Sequence, residues 1–252
     1  MLLFLGNFAI YTLTVIVTAV YWFLALLPAA VMPFLSVPRR RHFMRWLLLG
    51  YGRAVIFAAW RPFFRVRYAD LSGGVRVPGV IVVNHRAATD GFLVAMPGMN
   101  VAQTVNSWPL QTPFIGFGAR LGGYFDITGW DMDAIRARAA EVVGSGDMVI
   151  SFPEGTRSES RRMNPFHSGI FQVATELGVP VYMLCIAGNE FMPDRKFRFR
   201  EFREVRMRLL PPIPAEEVRS SASAYALKRR VFRRMETELA AMDAELDAER
   251  RK

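Results

Sequence analysis

Residues 79–90 read GVIVVNHRAATD, and residues 148–158 read MVISFPEGTRS. Each opens on a short apolar run rich in β-branched residues and closes on a polar cluster. Runs of that length bounded by turn formers read as strands buried on both faces. A polar cluster at the carboxyl end of such a strand lies where open α/β sheets hold their ligands. Working outward, further strand-like runs are NVAQTV (100–105), YFDIT (124–128), VPVYMLCI (179–186) and VRMRLL (205–210). Helical periodicity appears over 133–143, 167–177 and 222–250. Strands alternating with helices predict an α/β fold, with a mixed, mostly parallel sheet flanked by helices. No internal repeat is present.

The N-terminus has a different character. Residues 1–38 contain no Asp, Glu, Lys, Arg or His, and the apolar run exceeds the roughly 20 residues that cross a bilayer core. A cleaved signal peptide would begin with basic residues and end on small ones, and neither feature is clear here. Pro28 and Pro33 interrupt the helix pattern, so one crossing, or entry and return on one side, both fit. Eight arginines follow between Arg39 and Arg67 with no acidic residue among them, around an apolar stretch from Trp46 to Trp60. Basic residues flanking an apolar helix with interfacial tryptophans predict attachment to the cytoplasmic leaflet, by the positive-inside bias. An amphipathic helix packed on the domain is the alternative. The expected organisation is therefore membrane-anchoring helices over 1–69, an α/β domain over 70–215 and a charged surface helix over 216–252.

Composition narrows the functional classes. The chain has 252 residues, of which 52% are hydrophobic and 21% charged, so it can bury a substantial core and is not a disordered chain. Cys185 is the one cysteine, which rules out an internal disulfide and a cysteine-based metal cluster. The net charge of +10 suits nucleic acid, anionic lipid or anionic substrates. The segment 195–208, RKFRFREFREVRMR, mixes basic and aromatic residues as a nucleic-acid strand does. Beside a lipid-embedding N-terminus the membrane reading prevails, with no nucleic-acid partner expected. No G-x-S-x-G elbow occurs, and the glycines between Gly116 and Gly122 miss the dinucleotide spacing by one residue. His42 and His167 have no partner at metal-ligand spacing, so no metal is expected.

Two clusters remain as candidates for chemistry. His85 follows the first strand and Asp90 lies five positions on, close enough to fold back and fix the imidazole tautomer of a general base. After the second strand, Gly155 permits a close backbone turn and Arg157 offers a planar fork for phosphate or carboxylate, with Glu154 able to hold it. Taken singly, each also fits a satisfied hydrogen bond or a capped turn.

Together, His85-x4-Asp90 and Phe152-Pro-Glu-Gly-Thr-Arg157 resemble the glycerolipid acyltransferase family, of the 1-acylglycerol-3-phosphate acyltransferase type. The likeness covers about residues 75–215 and extends to Pro109-Leu110, Pro113-Phe114-Ile115-Gly116, Phe166-His167-Ser168-Gly169 and Gly178-Val179-Pro180-Val181. It implies transfer of a fatty acyl group from acyl-CoA or acyl-carrier protein to a lysolipid hydroxyl, in phospholipid biosynthesis, with no cofactor beyond that co-substrate. By the same resemblance His85 and Asp90 are catalytic, and Glu154, Gly155, Thr156 and Arg157 form the acceptor site, with backbone N–H groups near Gly155 as oxyanion donors. Membrane lipids are the implied partners, on the cytoplasmic face of a bacterial inner membrane.

The departures concern the acceptor. Family members typically carry a lysine near Asn106 or Ser107 and an arginine where this chain has Thr128. Arg86 and Arg120 are candidates to compensate. The loss of two cations opens a second class of acceptor, lyso-aminolipids, and a silent lipid-binding adaptor is the non-enzymatic alternative.

Overall fold

A computed structural model describes residues 1–74, 76–111 and 115–251. The α/β architecture expected from the sequence is present, as a seven-stranded sheet flanked by helices. In chain order the strands are β1 (Val66–Asp70), β2 (Val80–Val83), β3 (Val101–Val105), β4 (Phe125–Asp126), β5 (Met148–Ser151), β6 (Val181–Ala187) and β7 (Val205–Ile213). Their spatial order is β1-β7-β6-β2-β5-β3-β4, and every neighbouring pair is parallel except β6 and β7. Strands β2 and β5 lie side by side at the centre, with Val80 opposite Val149 and Val82 opposite Ser151. The two motif-bearing runs therefore end at one edge of the sheet.

Helices α1 (Leu2–Ala29) and α2 (Val37–Ala54), a π-helical turn (Val55–Trp60) and the short α3 (Asp90–Leu93) cover one face. Two short helices, α4 (Ser107–Gln111) and α5 (Ile115–Gly122), follow β3. The other face is covered by α6 (Met132–Gly144), α7 (Gly169–Leu177) and α9 (Ala224–Arg250), with α8 (Ala215–Arg219) between β7 and α9. The helix ends carry local causes. Asp131 accepts the Ala134 N–H at 2.8 Å at the start of α6, and Ser223 accepts the Ala226 N–H at 3.1 Å at the start of α9. Helix α7 stops where Gly178 turns left-handed, with φ +59°.

Three details differ from the sequence reading. The boundary at residue 70 coincides with the end of β1, a strand that pairs with β7 from Val66 opposite Val205 to Asp70 opposite Leu209. Ile10, Tyr51 and Val55 also share one apolar cluster with Ile81, Leu184 and Met207, so residues before 70 belong to the same core. The strand expected over 124–128 shrinks to two residues because the Asp126 carboxylate accepts the N–H groups of Thr128 and Gly129 and turns the chain. The charged C-terminal helix is not peripheral. Leu227, Val231, Met235, Leu239, Met242 and Leu246 recur every three to four residues along α9 and are buried in the core.

Candidate active site

His85 leaves the carboxyl end of β2 and Asp90 opens α3, so the intervening turn brings the two side chains together. The Nδ1 of His85 lies 2.9 Å from Oδ2 of Asp90. That same oxygen accepts the backbone N–H groups of Arg86 (2.7 Å) and Ala87 (2.9 Å), while Oδ1 accepts the Asn189 amide at 2.5 Å. Asp90 is fully buried. With its oxygens turned to donors, the carboxylate accepts the His85 Nδ1–H, leaving the Nε2 lone pair available as a base. The imidazole lies over the Phe152 ring, 4.5 Å between centroids, which fixes its plane.

The second motif braces the first. One Glu154 oxygen accepts the His85 N–H and the other the Asn164 N–H, both at 2.7 Å. Burial pushes the Glu154 carboxyl up to about 7, against the lowering effect of those two N–H groups. Glu154 therefore ties the His85 turn to the 155–166 loop and does not reach into the cavity. Gly155 has φ +70°, and a Cβ there would stand 3.2 Å from the His167 ring, so only glycine makes this turn without strain. His167 thus belongs to the packing of this loop. Thr156 contributes its carbonyl, which accepts the Asn164 amide at 3.3 Å. The Gly155 N–H is taken by the Phe152 carbonyl, which removes it as an oxyanion donor. Among the described residues the N–H groups of Thr156 and Arg157 have no such partner.

A cavity of about 310 Å³ opens in front of His85, lined also by Phe92, Asn106, Tyr124, Gly155, Arg157 and Phe197. The Arg157 guanidinium stands 5.6 Å from the centre of the Phe197 ring, and its buried Nη1 has no hydrogen-bond partner. A cation with an unpartnered donor, lining the same cavity as an imidazole base, suits an anionic ligand. Next to this cavity, α1, α2 and α5 enclose a larger apolar one of about 1150 Å³, and Tyr51 and Phe92 line both.

Arg86 is not in this site, contrary to expectation. Its guanidinium turns toward α9, where it makes two bonds to Asp243, at 2.8 and 2.7 Å, and one to the Arg161 carbonyl at 2.8 Å. Consecutive residues leaving a strand point to opposite sides, and a cation only 1% exposed must take the buried anion offered to it. Arg120 is exposed, donates to the Leu110 carbonyl and does not line the cavity. Pro113 and Phe114 lie outside the described residues. At the two positions of missing cations, Ser107 and Thr128 instead bond each other and the Asp126 carboxylate. Asn189 and Phe197 escaped the sequence reading. Asn189 follows β6 at the same sheet edge as His85, and that placement is the signal that would have found it.

Residues 67–187 match the Acyltransferase family model. A chloroplastic 1-acyl-sn-glycerol-3-phosphate acyltransferase of Brassica napus is 27% identical over 184 residues, which cover 69% of this chain and 51% of that one. A lyso-ornithine lipid O-acyltransferase of Pseudomonas aeruginosa is 29% identical over 201 residues, 71% of this chain and 72% of that one. The chain spans about half the length of the plant and mammalian relatives it matches. The crystal structure of the 1-acyl-sn-glycerophosphate acyltransferase PlsC from Thermotoga maritima has the same fold, with a TM-score of 0.66 at 16% identity over 91% of this chain and 95% of that one.

Proposed function

We propose that this chain is a glycerolipid acyltransferase, transferring an acyl group from a thioester to the hydroxyl of a membrane lysolipid of the 1-acylglycerol-3-phosphate type, as its match to the Acyltransferase model and its named relatives support. The observation that carries the reading is the His85–Asp90 pair facing the cavity that Arg157 also lines, with the buried Nη1 of Arg157 left without a partner. In this mechanism Nε2 of His85 takes the acceptor's hydroxyl proton as the oxygen attacks the thioester carbonyl. A C–O bond forms, the tetrahedral oxyanion draws on the N–H groups of Thr156 and Arg157, and the C–S bond then breaks. The imidazolium returns its proton to the departing thiolate. Asp90 stabilises the imidazolium, and Arg157 receives the acceptor's phosphate. The acyl donor in this reading is acyl-CoA or acyl-carrier protein.

Lipid access follows from α1. It is long and apolar enough to cross a membrane, yet it is tied to the domain along its length. Asn7 bonds both backbone groups of Phe199, Tyr11 donates to the Phe197 carbonyl, the Trp60 indole donates to Thr14 and Tyr21 donates to the Leu47 carbonyl. A helix held in this way lies in the cytoplasmic leaflet of the bacterial inner membrane with its bare side in lipid, and the larger apolar cavity takes the acyl chains.

A second acceptor class has its own support. Ser107 and Thr128 surround a carboxylate where the resembled family's pattern has cations, and a relative matched over 71% of this chain and 72% of its own length is named for lyso-ornithine lipid. Acyl transfer from both labelled donors to lysophosphatidate, lyso-ornithine lipid and lysophosphatidylethanolamine, with His85→Ala alongside, tests both readings. His85-dependent transfer to lysophosphatidate supports the first. Transfer confined to an amino lysolipid establishes the second, and no transfer to any acceptor overturns both.

A further inference from the structure

On the face opposite the lipid-exposed helix, residues 160–166 and the first half of α9 enclose a groove of about 630 Å³. Tyr225, Lys228, Arg229, Phe232 and Arg233 recur at helical spacing on one side of α9, and Arg162 faces them from the loop. Glu236 is the one acidic residue in the wall. The Tyr225 ring is 57% exposed and carries Lys228 Nζ at 4.8 Å and Arg229 Cζ at 5.9 Å from its centre. Elsewhere around α9 the arginines meet carboxylates: Arg161 pairs with Asp247, Arg206 and Arg208 with Glu245, and Arg230 with Glu217. Among the described residues Arg162, Arg229 and Arg233 have no ion-pair partner. Uncompensated positive charge is thus gathered where an exposed ring can serve as a stacking platform.

The groove adjoins the site. Asn164 in its wall donates its N–H to the same Glu154 carboxylate that accepts the His85 N–H, and its amide reaches the Thr156 carbonyl. Gly155 and Thr156 are exposed and form the rim between groove and cavity. We infer that this groove binds the phosphorylated nucleotide end of the acyl thioester, with the adenine on Tyr225 and its phosphates on Arg162, Arg229 and Arg233. The inference rests on the reading of this chain as a thioester-dependent acyltransferase. Guanidinium–phosphate bonds and aromatic stacking are the chemistry that recognises such a group. The acyl arm then passes over the Gly155–Thr156 rim toward His85.

The test is calorimetric titration of adenosine 3′,5′-bisphosphate into the full chain in detergent at low salt. Wild-type protein is expected to bind, the Arg229→Glu/Arg233→Glu double variant to bind at least about tenfold more weakly, and Tyr225→Ala to be weakened several-fold. Arg136→Glu, a charge change on exposed α6, should bind as wild type does. Coincident thermal unfolding of the double variant and wild type guards against misfolding. With an acyl-CoA the double variant should show a raised KM at unchanged kcat. Equal nucleotide binding by wild type and double variant overturns the assignment. So does a defect confined to acyl-carrier-protein thioesters, which would mark the groove as a carrier-protein surface. Because nucleotide binding is read without turnover, a failure of the acyltransferase reading leaves this arm decisive.

Discussion

On the sheet face covered by α6, α7 and α9, Arg86, Arg161 and Arg208 end in carboxylates; on the face covered by α1 and α2, the covering helix leaves Phe4, Phe8, Phe23 and Leu27 bare. The first face is closed by a filled apolar core sealed with ion pairs. The second carries an open, apolar groove of about 1150 Å³, lined by residues such as Trp22, Phe23, Leu26 and Leu47, apolar surface of the kind that marks contact with lipid or a partner. In the proposed placement, lipid completes the packing that the chain leaves out. His85 and Arg86, adjacent in sequence, part at the edge where the faces meet, with the imidazole toward the cavity and the guanidinium toward Asp243. One face therefore holds the site in place, while the other carries the opening through which, in the proposed function, substrate enters.

The sharpest test of this division is at the edge itself. His85→Ala should lower kcat by about 10²–10⁴-fold, the usual loss for a positioned general base, while thermal unfolding and vesicle binding stay as in wild type. A residual rate near wild type would remove His85 from the chemistry.

On the face covered by α9, where the Arg86–Asp243 pair acts as a latch, Asp243→Ala leaves the Arg86 guanidinium with Glu190, 3.5 Å away, and the Arg161 carbonyl. A loss of about 3 kcal/mol in denaturant unfolding is expected, as for other broken buried pairs. Because the Arg86 N–H also holds Asp90, activity should fall together with stability. A variant as stable as wild type would show that the latch is ornamental.

The brace between the motifs gives a pH signature. Glu154 titrates near 7 in the folded protein against 4.5 for the ordinary side chain, so the folded state binds a proton more tightly than the unfolded one. Its contribution is fully present below about pH 4.5 and fades as pH rises through 7, a slope worth up to about 3 kcal/mol. Unfolding free energies between pH 5 and 8 should decline in wild type and level off in Glu154→Gln. Parallel curves would show that Glu154 does not titrate there.

The smallest effect belongs to the open face. Leu121→Phe narrows the apolar cavity. It should cost less than about 1.5 kcal/mol in stability while shifting donor preference toward shorter acyl chains. An unchanged chain-length profile would separate that cavity from the acyl tail.

Much of this was legible in the sequence because it is local. The runs 79–83 and 148–151 carry their own burial signal, and the polar clusters after them mark the sheet edge that holds the site. Strand β1, VRYAD, alternates charge and hydrophobicity beside an arginine-rich segment, and only pairing with β7 makes it a strand. Arg86 was misassigned because its partner lies 157 residues away. Asn189, 99 residues from Asp90, was hidden for the same reason. Pattern reports which side chains are buried or polar, whereas the choice of partner for a buried charge is made by the tertiary fold.

The bonds from Asn7 and Tyr11 to the 197–199 loop carry one more consequence. If α1 lies in the plane of one leaflet, as proposed, it spreads the lipids around it, so its hold on the membrane depends on curvature and on how tightly that leaflet is packed. A lipid with one chain and a lipid with two differ in shape, and the proposed reaction turns the first into the second. Turnover then reshapes the surface on which the protein rests, and the occupancy of the membrane by this chain becomes a readout of how much acceptor remains in it.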